Sequence, residues 1–254
     1  MFSENQIHIN YAILPHEPVR NAAGERRPIS GTKELMDYEN EIIRTINEIS
    51  GSRSPYEVFC DWIKCMAIAI SNNQTFFRDK IWQEREQLYI DTIKKYSEEE
   101  KNNFVKMREL LVSEMENHMG DILGEIFMKS DMGSKINGQF FTPYAVNQAT
   151  ARTLIKQTKP DKNGVYHLYE PTCGAGGMII AMAQCLKEEG IDYQKKLKVV
   201  AQDLDWKSVY MAYVQLSYYG IRAKIIQGDA IENGTQCEAM KERIFITPME
   251  MWRI

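Results

Sequence analysis

Three short stretches of the chain combine glycines and carboxylates in an order that suits a nucleoside-like ligand. Glu170-Pro171-Thr172-Cys173-Gly174-Ala175-Gly176-Gly177 follows a β-like run, VYHLY at 165–169, and opens a helical one near Met178. Glycines at such a turn let the backbone approach a ligand closely and take dihedrals closed to other residues. Asp203 follows the next β-like run, LKVVAQ at 197–202, about thirty residues downstream of the loop. An acidic group there can accept hydrogen bonds from both hydroxyls of a ribose. Gln227-Gly228-Asp229 closes a third run, AKIIQ at 223–227. Taken singly, the loop is a tight turn and each Asp a cap or turn residue, which is the role expected of Asp205. Taken together they mark three consecutive strand ends, and open α/β sheets bind ligands outside the carboxyl ends of their strands. The loop lacks the G-x-G-x-x-G spacing of a dinucleotide site, which argues against a nicotinamide dehydrogenase.

The elements that must position these residues divide the chain in three. Residues 1–32 are rich in Asn, Pro, Gly and Arg without periodicity and read as an extended arm. Residues 33–130 carry helical stripes and read as a helical domain. Ser54-Pro55 is an N-cap followed by proline at the first helical position, ahead of Val58, Trp62, Cys65, Met66 and Ala69. Ser97 with Glu100 is a capping-box pair ahead of Phe104, Met107, Leu111, Met115 and His118. Phe77, Ile81, Leu88 and Ile93 suggest a further helix between them. The pattern breaks at 131–134, a helix begins at Thr142-Pro143, and strands then alternate with helices, with RIFIT at 243–247 as the fourth strand. That alternation argues for βαβ units and a parallel sheet over 131–254.

Composition narrows the function classes. The 254 residues are 44% hydrophobic and 26% charged, an ordinary globular mixture. No apolar run approaches the ~20 residues of a membrane span, and the first residues lack a basic start and an apolar core, so a cytoplasmic protein without a membrane partner is expected. Five cysteines at irregular spacing, with no C-x-x-C pair, support neither a disulfide framework nor a metal site. The net charge is −4, low for a free-standing nucleic-acid binder. Residues 1–130 hold 16 basic against 22 acidic groups and residues 131–254 hold 15 against 13, so phosphate contact belongs to the second half.

Over roughly residues 120–232 the sequence resembles the S-adenosylmethionine-dependent adenine-N6 DNA methyltransferases, specifically the modification subunits of type I restriction systems. Gly138-Gln139-Phe140-Phe141-Thr142-Pro143 is similar to the family's cofactor-carboxylate motif, and Glu170 to Gly177 to its main glycine loop. Ala201-Gln202-Asp203 is similar to its ribose-binding strand end, and Gly228-Asp229 to its adenine-binding one. The resemblance implies an α/β fold: an N-terminal helical bundle on a Rossmann-like S-adenosylmethionine-dependent methyltransferase domain whose sheet is short at its C-terminal end. It implies S-adenosylmethionine as cofactor, held by Phe141, Thr142, Pro143, Glu170, Thr172, Gly174, Gly176, Asp203 and Asp229. Within that set Phe141 and Thr142 hold the methionine part, Asp203 the ribose and Asp229 the adenine amine. Pro143 in the first turn leaves Thr142 as N-cap, so that helix N–H groups meet the cofactor carboxylate. Glu170, where an Asp is commoner in the family, faces the ammonium. DNA is the implied partner, with help from a specificity subunit or a second copy of the chain.

The sequence departs from the family at the catalytic step. Family members place Asn or Asp-Pro-Pro-aromatic after the fourth strand, where it holds the target amine of a flipped base. Here that slot reads Thr247-Pro248-Met249-Glu250. Threonine lacks the amide or carboxylate, and glutamate offers no stacking face. Methyl transfer to adenine is therefore set against a second reading, a catalytically inactive cofactor-binding or DNA-associated module, possible in a phage or mobile element. The glycine loop alone does not distinguish DNA from RNA or protein as acceptor.

Overall fold

A computed structural model describes residues 37–51, 53–75, 77–130, 140–232 and 240–252. The expected arm at 1–32, the pattern break at 131–134 and the start of the Gly138–Pro143 motif lie outside the described residues.

Five helices come first: α1 (Tyr38–Ile49), α2 (Pro55–Asn73), α3 (Lys80–Ile93), α4 (Glu98–Asn117) and α5 (Ile122–Lys129). Their starts follow the cap chemistry of the sequence. Ser54 accepts from the Glu57 amide ahead of Pro55, and Ser97 and Glu100 form a reciprocal capping box. Val58, Trp62, Cys65, Met66 and Ala69 are all buried, as are Phe104, Met107, Leu111 and Met115. Trp62 Nε1 donates to the Phe104 carbonyl at 3.1 Å, which satisfies the indole inside the core. The helix expected around Phe77 to Ile93 is α3, but Phe77 and Leu88 are exposed.

The α/β part contains α6 (Tyr144–Gln157), β1 (Tyr166–Glu170), α7 (Gly177–Glu188), α8 (Tyr193–Lys196), β2 (Leu197–Asp203), α9 (Trp206–Tyr218), β3 (Arg222–Gln227), β4 (Ile244–Ile246) and α10 (Pro248–Met251). The strands form one sheet in the order β1-β2-β3-β4. β1, β2 and β3 run parallel in register, with Glu170 opposite Ala201 and Asp203 opposite Gln227. The carboxyl ends of the first three strands therefore lie along one edge. Val199, Ala201, Ala223, Ile225 and Phe245 point into the core, where Phe245 packs on Tyr213 of α9 with ring centroids 4.9 Å apart. One buried cluster runs from Ile42 through Phe59, Phe127, Ile180 and Tyr213 to Phe245, so the helical layer and the sheet layer share a core.

The fourth strand corrects an expectation. β4 pairs antiparallel with β3, Ile246 opposite Lys224 and Ile244 opposite Ile226. A parallel strand needs a crossover element between the two strands, and the described part of this connection holds a turn at 230–232 and a 3-10 turn at Lys241–Arg243. The outer edge of β4 is partly covered by the chain itself. Arg85 of α3 donates to the Ile244 carbonyl at 2.6 Å and lays its guanidinium 3.9 Å from the Phe245 ring centroid.

Candidate cofactor site

The glycine loop hangs from the end of β1 and is anchored to β2. The Cys173 amide donates to the Gln202 carbonyl at 2.8 Å, and the Gly174 amide donates to Asp203 Oδ2 at 2.9 Å. Gly174 (φ +53°) and Gly176 (φ +96°) both take left-handed backbone, and a Cβ on Gly174 would lie 3.0 Å from the Phe141 ring. The loop thus needs glycine both for its turn and for the close approach of Phe141. Phe141 itself packs on Phe127 of α5, with centroids 5.3 Å apart.

Beside this loop lies a cavity of about 420 Å³, bordered by Phe140, Phe141 and Thr142 ahead of α6, the Glu170–Gly177 segment and Asp203. Of the nine cofactor residues expected, Phe141, Thr142, Glu170, Thr172, Gly174 and Asp203 line it. Pro143, Gly176 and Asp229 do not. Gly176 acts through the turn, as N-cap of α7. Pro143, not Thr142, is the N-cap residue of α6: its ψ of 137° is extended, and its carbonyl accepts from Val146 and Asn147. Proline fixes φ but not ψ, so the helix starts one residue later than expected. Asp229 Oδ1 accepts from the Ile231 and Glu232 amides, so in this arrangement it closes its own turn.

Electrostatics favour a ligand with both signs of charge. Six long helices, α1 to α5 and α9, carry a side-chain cap at their N-termini. α6 and α7, whose starts also border the cavity, carry none. Uncapped first-turn N–H groups are suited to a carboxylate. Asp203 is held by backbone donors, Gly174 on Oδ2 and Asp205 on Oδ1 at 2.9 Å each. Each carboxylate oxygen has a second lone pair for a ligand hydroxyl. Burial raises the Asp203 and Glu170 carboxyls above their ordinary range. Burial, with Asp203 and Glu170 alongside, drives the Cys173 thiol well above its usual value, so it is not a thiolate nucleophile.

The family model for N-6 DNA Methylase matches residues 114–247, more than half of the chain. The chain belongs to this family. The match reaches back to the end of α4, so it takes in α5 and the cavity as well as the strand ends. Two solved structures are similar to it. One is described as a class I S-adenosylmethionine-dependent methyltransferase from Listeria monocytogenes: 15% identity, 78% of this chain and 55% of that one, TM-score 0.43. The other is a type I restriction-modification system methyltransferase subunit from Streptococcus thermophilus: 16% identity, 76% of this chain and 39% of that one, TM-score 0.42. The chain thus spans about half the length of the first and less of the second. No curated protein matches it in sequence.

The family's catalytic slot is where this member differs from expectation. Because β4 is antiparallel, its end lies at the amino end of β3, on the sheet edge opposite the cavity. Thr247 is fully buried there: Oγ1 accepts from the Ala223 amide at 2.9 Å and donates to the Ile221 carbonyl at 2.7 Å. Glu250 pairs with Arg222 at 3.1 Å and Lys198 at 3.5 Å. Thr247 and Glu250 thus clip this segment onto β3 and its neighbour, and no residue of Thr247-Pro248-Met249-Glu250 lines the cavity.

Several site residues escaped the sequence reading. Asp121, Asn147, Met178 and Ser208 line the cavity. Outside the cavity lining, Leu204 and Ile231, 66% and 96% exposed, stand just beyond the ends of β2 and β3. Their one sequence signal is an apolar residue set among the acidic groups of a strand-end turn. Among the described residues no group of His, Cys, Asp and Glu could hold a metal, and no helix is long and apolar enough to cross a membrane.

Proposed function

We propose that the chain binds S-adenosylmethionine in the cavity and serves adenine-N6 methylation of DNA as the cofactor-holding part of a methyltransferase. The observation that carries this reading is the convergence of Thr142, the glycine loop and Asp203 on one cavity bordered by two uncapped helix starts. The residues fit the group. Asp203 offers acceptors to ribose hydroxyls, Gly174 lets Phe141 close on the loop, and the starts of α6 and α7 offer N–H donors to the amino-acid carboxylate. When bound, the cofactor supplies an electrophilic methyl group on a sulfonium. The chain's own residues orient it, and Phe141, packed on Phe127, keeps water from one side.

The acceptor side belongs to other groups. The described residues bring no Asn or Asp-Pro-Pro-aromatic segment to the cavity, and Thr247 and Glu250 are engaged at the far edge. DNA engagement is accordingly assigned to a further subunit or segment, in line with a net charge of −4. The reading in which the chain binds cofactor without turning over alone is favoured by the same placement of Thr247.

Calorimetric titration with S-adenosylmethionine and S-adenosylhomocysteine, with a labelled-methyl assay on adenine-containing DNA, tests the proposal. One-to-one binding with little or no turnover by the chain alone is expected. Absence of binding overturns the cofactor reading, and robust turnover by the chain alone overturns the division of labour.

A further inference from the structure

Asp121 differs from the other cavity residues in coming from the helical layer, immediately before α5. Its Oδ1 accepts from the Gly124 amide at 3.1 Å and from Gln215 Nε2 of α9 at 2.8 Å. Gln215 also donates to the Ala175 carbonyl and accepts from the Leu123 amide, so helical layer, α9 and glycine loop meet at this side chain. No hydrogen bond to Oδ2, and no Lys, Arg or His paired with the carboxylate, is found among the described residues. The residue is only 4% exposed, yet it borders the cavity.

The room for this carboxylate is built into the backbone. A Cβ on Gly124 would lie 2.4 Å from Oδ2, and one on Gly177, the first residue of α7, would lie 2.7 Å from it and 2.6 Å from Asn147 Nδ2. Two glycines thus admit the carboxylate and bring Oδ2 beside the uncapped start of α7. An N-cap has no need of this charge, since Ser, Thr or Asn caps equally well. Burial pushes the carboxyl up to about 6, with Glu125 of α5 adding like charge. The other titratable groups facing it are the phenols of Tyr144 on α6 and Tyr219 after α9. A buried carboxylate without a positive partner is costly and calls for a cation.

We propose that Asp121, in place of the Glu170 to which the family resemblance points, is the binding residue of the cavity that receives the primary ammonium of the ligand's amino-acid end. This rests on the S-adenosylmethionine reading and adds to it that the helical layer supplies part of the cofactor site. The ammonium and carboxylate of an α-amino acid are attached to one carbon, and the site offers a group for each side by side: Gly177, the first residue of α7, lies next to Asp121 Oδ2. With Asp203 fixing the ribose end, Asp121 fixes the opposite end, so the two carboxylates set the ligand's direction in the cavity.

Calorimetry on the full chain tests this with Asp121→Asn, which keeps an oxygen for Gly124 and Gln215 and removes the charge. Three ligands are compared: S-adenosylhomocysteine, its desamino analogue with hydrogen in place of the amine, and 5′-methylthioadenosine, which lacks the amino-acid end. In D121N the affinity for S-adenosylhomocysteine should fall at least tenfold, with 5′-methylthioadenosine unchanged. The desamino analogue should bind the wild-type chain at least tenfold more weakly than S-adenosylhomocysteine, and should bind wild type and D121N alike. Unchanged S-adenosylhomocysteine binding in D121N overturns the proposal while leaving the cofactor reading intact. Equal loss for all three ligands overturns it too, by showing a structural role. If D121N does not fold, Asp121→Ser replaces it as an uncharged cap, and an amine penalty of the same size in that variant and in wild type overturns the proposal. Wild type that binds none of the three overturns the cofactor reading and this inference with it.

Discussion

Asp203 Oδ2 accepts the Gly174 amide at 2.9 Å, locking the end of β2 to the glycine loop that leaves β1. The same carboxylate that is positioned to hold a ligand also holds the loop that borders the ligand, so pocket shape and ligand recognition are coupled through one side chain.

Replacing Asp203 by Ala should therefore weaken S-adenosylhomocysteine binding by about 1–3 kcal/mol, the range for leaving buried polar partners unpaired. Asp203→Asn, which retains an acceptor for Gly174, should lose less. Calorimetry of both variants checks this, and equal affinity for wild type and D203A would remove Asp203 from the site.

Thr247 gives a prediction of the opposite kind. Its hydroxyl satisfies the Ala223 amide and the Ile221 carbonyl inside the protein. Thr247→Val keeps the shape and strands both groups, at a cost of about 1–3 kcal/mol in stability. Cofactor affinity should be unchanged, because the residue sits on the sheet edge opposite the cavity. Denaturant titration measures the first effect and calorimetry the second. A selective loss of binding would show that this segment reaches the cavity after all.

Asp121 makes stability depend on pH with an unusual sign. Its folded value of about 6 lies above the ordinary 3.8 of an Asp. Between these values the folded chain holds a proton that the unfolded chain has released, so this group's contribution to stability falls as pH rises from about 4 to 6. Above pH 6 the full penalty applies, about 3 kcal/mol by linkage. Asp121→Asn should accordingly unfold at a higher temperature than wild type at pH 7, with the gap closing toward pH 4. Thermal unfolding across that range, without ligand, is the measurement.

The parts of this fold that were legible in the sequence are those set by neighbours in the chain. Ser54 and the Ser97–Glu100 pair announce their helices through contacts three residues away, and the alternating strand runs and the Gly174–Gly177 turn are equally local. Direction of pairing is not local. Ile244-Phe245-Ile246 reads as a strand whichever way it runs, and only its partner, β3 entered from Ile226, makes it antiparallel. Moving that strand also moved Thr247 out of the expected catalytic slot. Asp121 gives no signal in the sequence for a related reason: it becomes a cavity group only when Gln215 and Gly177, some 94 and 56 positions away, close around it. The α6 start lies one residue beyond the place its Thr-Pro pair signals, because proline's ring fixes φ and leaves ψ free to stay extended.

The edge of the sheet supplies the last prediction. A strand with unpaired backbone groups on its outer side is a template for association, and β4 is short, apolar and placed at such an edge. Arg85 guards it. Its guanidinium takes the Ile244 carbonyl at 2.6 Å, reaches Ser71 Oγ at 2.7 Å and lies over Phe245. Burial lowers the Arg85 value from its usual range, but an arginine so lowered still carries its charge at neutral pH. Truncation to Ala removes the donor and the stacked plane at once, leaving the carbonyl of Ile244 and the ring of Phe245 open to another chain. Arg85→Ala should therefore lose stability by about 1–3 kcal/mol and, at the same time, associate in a concentration-dependent way. Arg85→Lys should restore part of the stability through its donor without restoring the stacked cover, because its ammonium is not planar. Sedimentation velocity over a hundredfold range of protein concentration, beside thermal unfolding, separates the two effects. If R85A is destabilised yet sediments as wild type does at every concentration, the edge of β4 is protected by something other than Arg85.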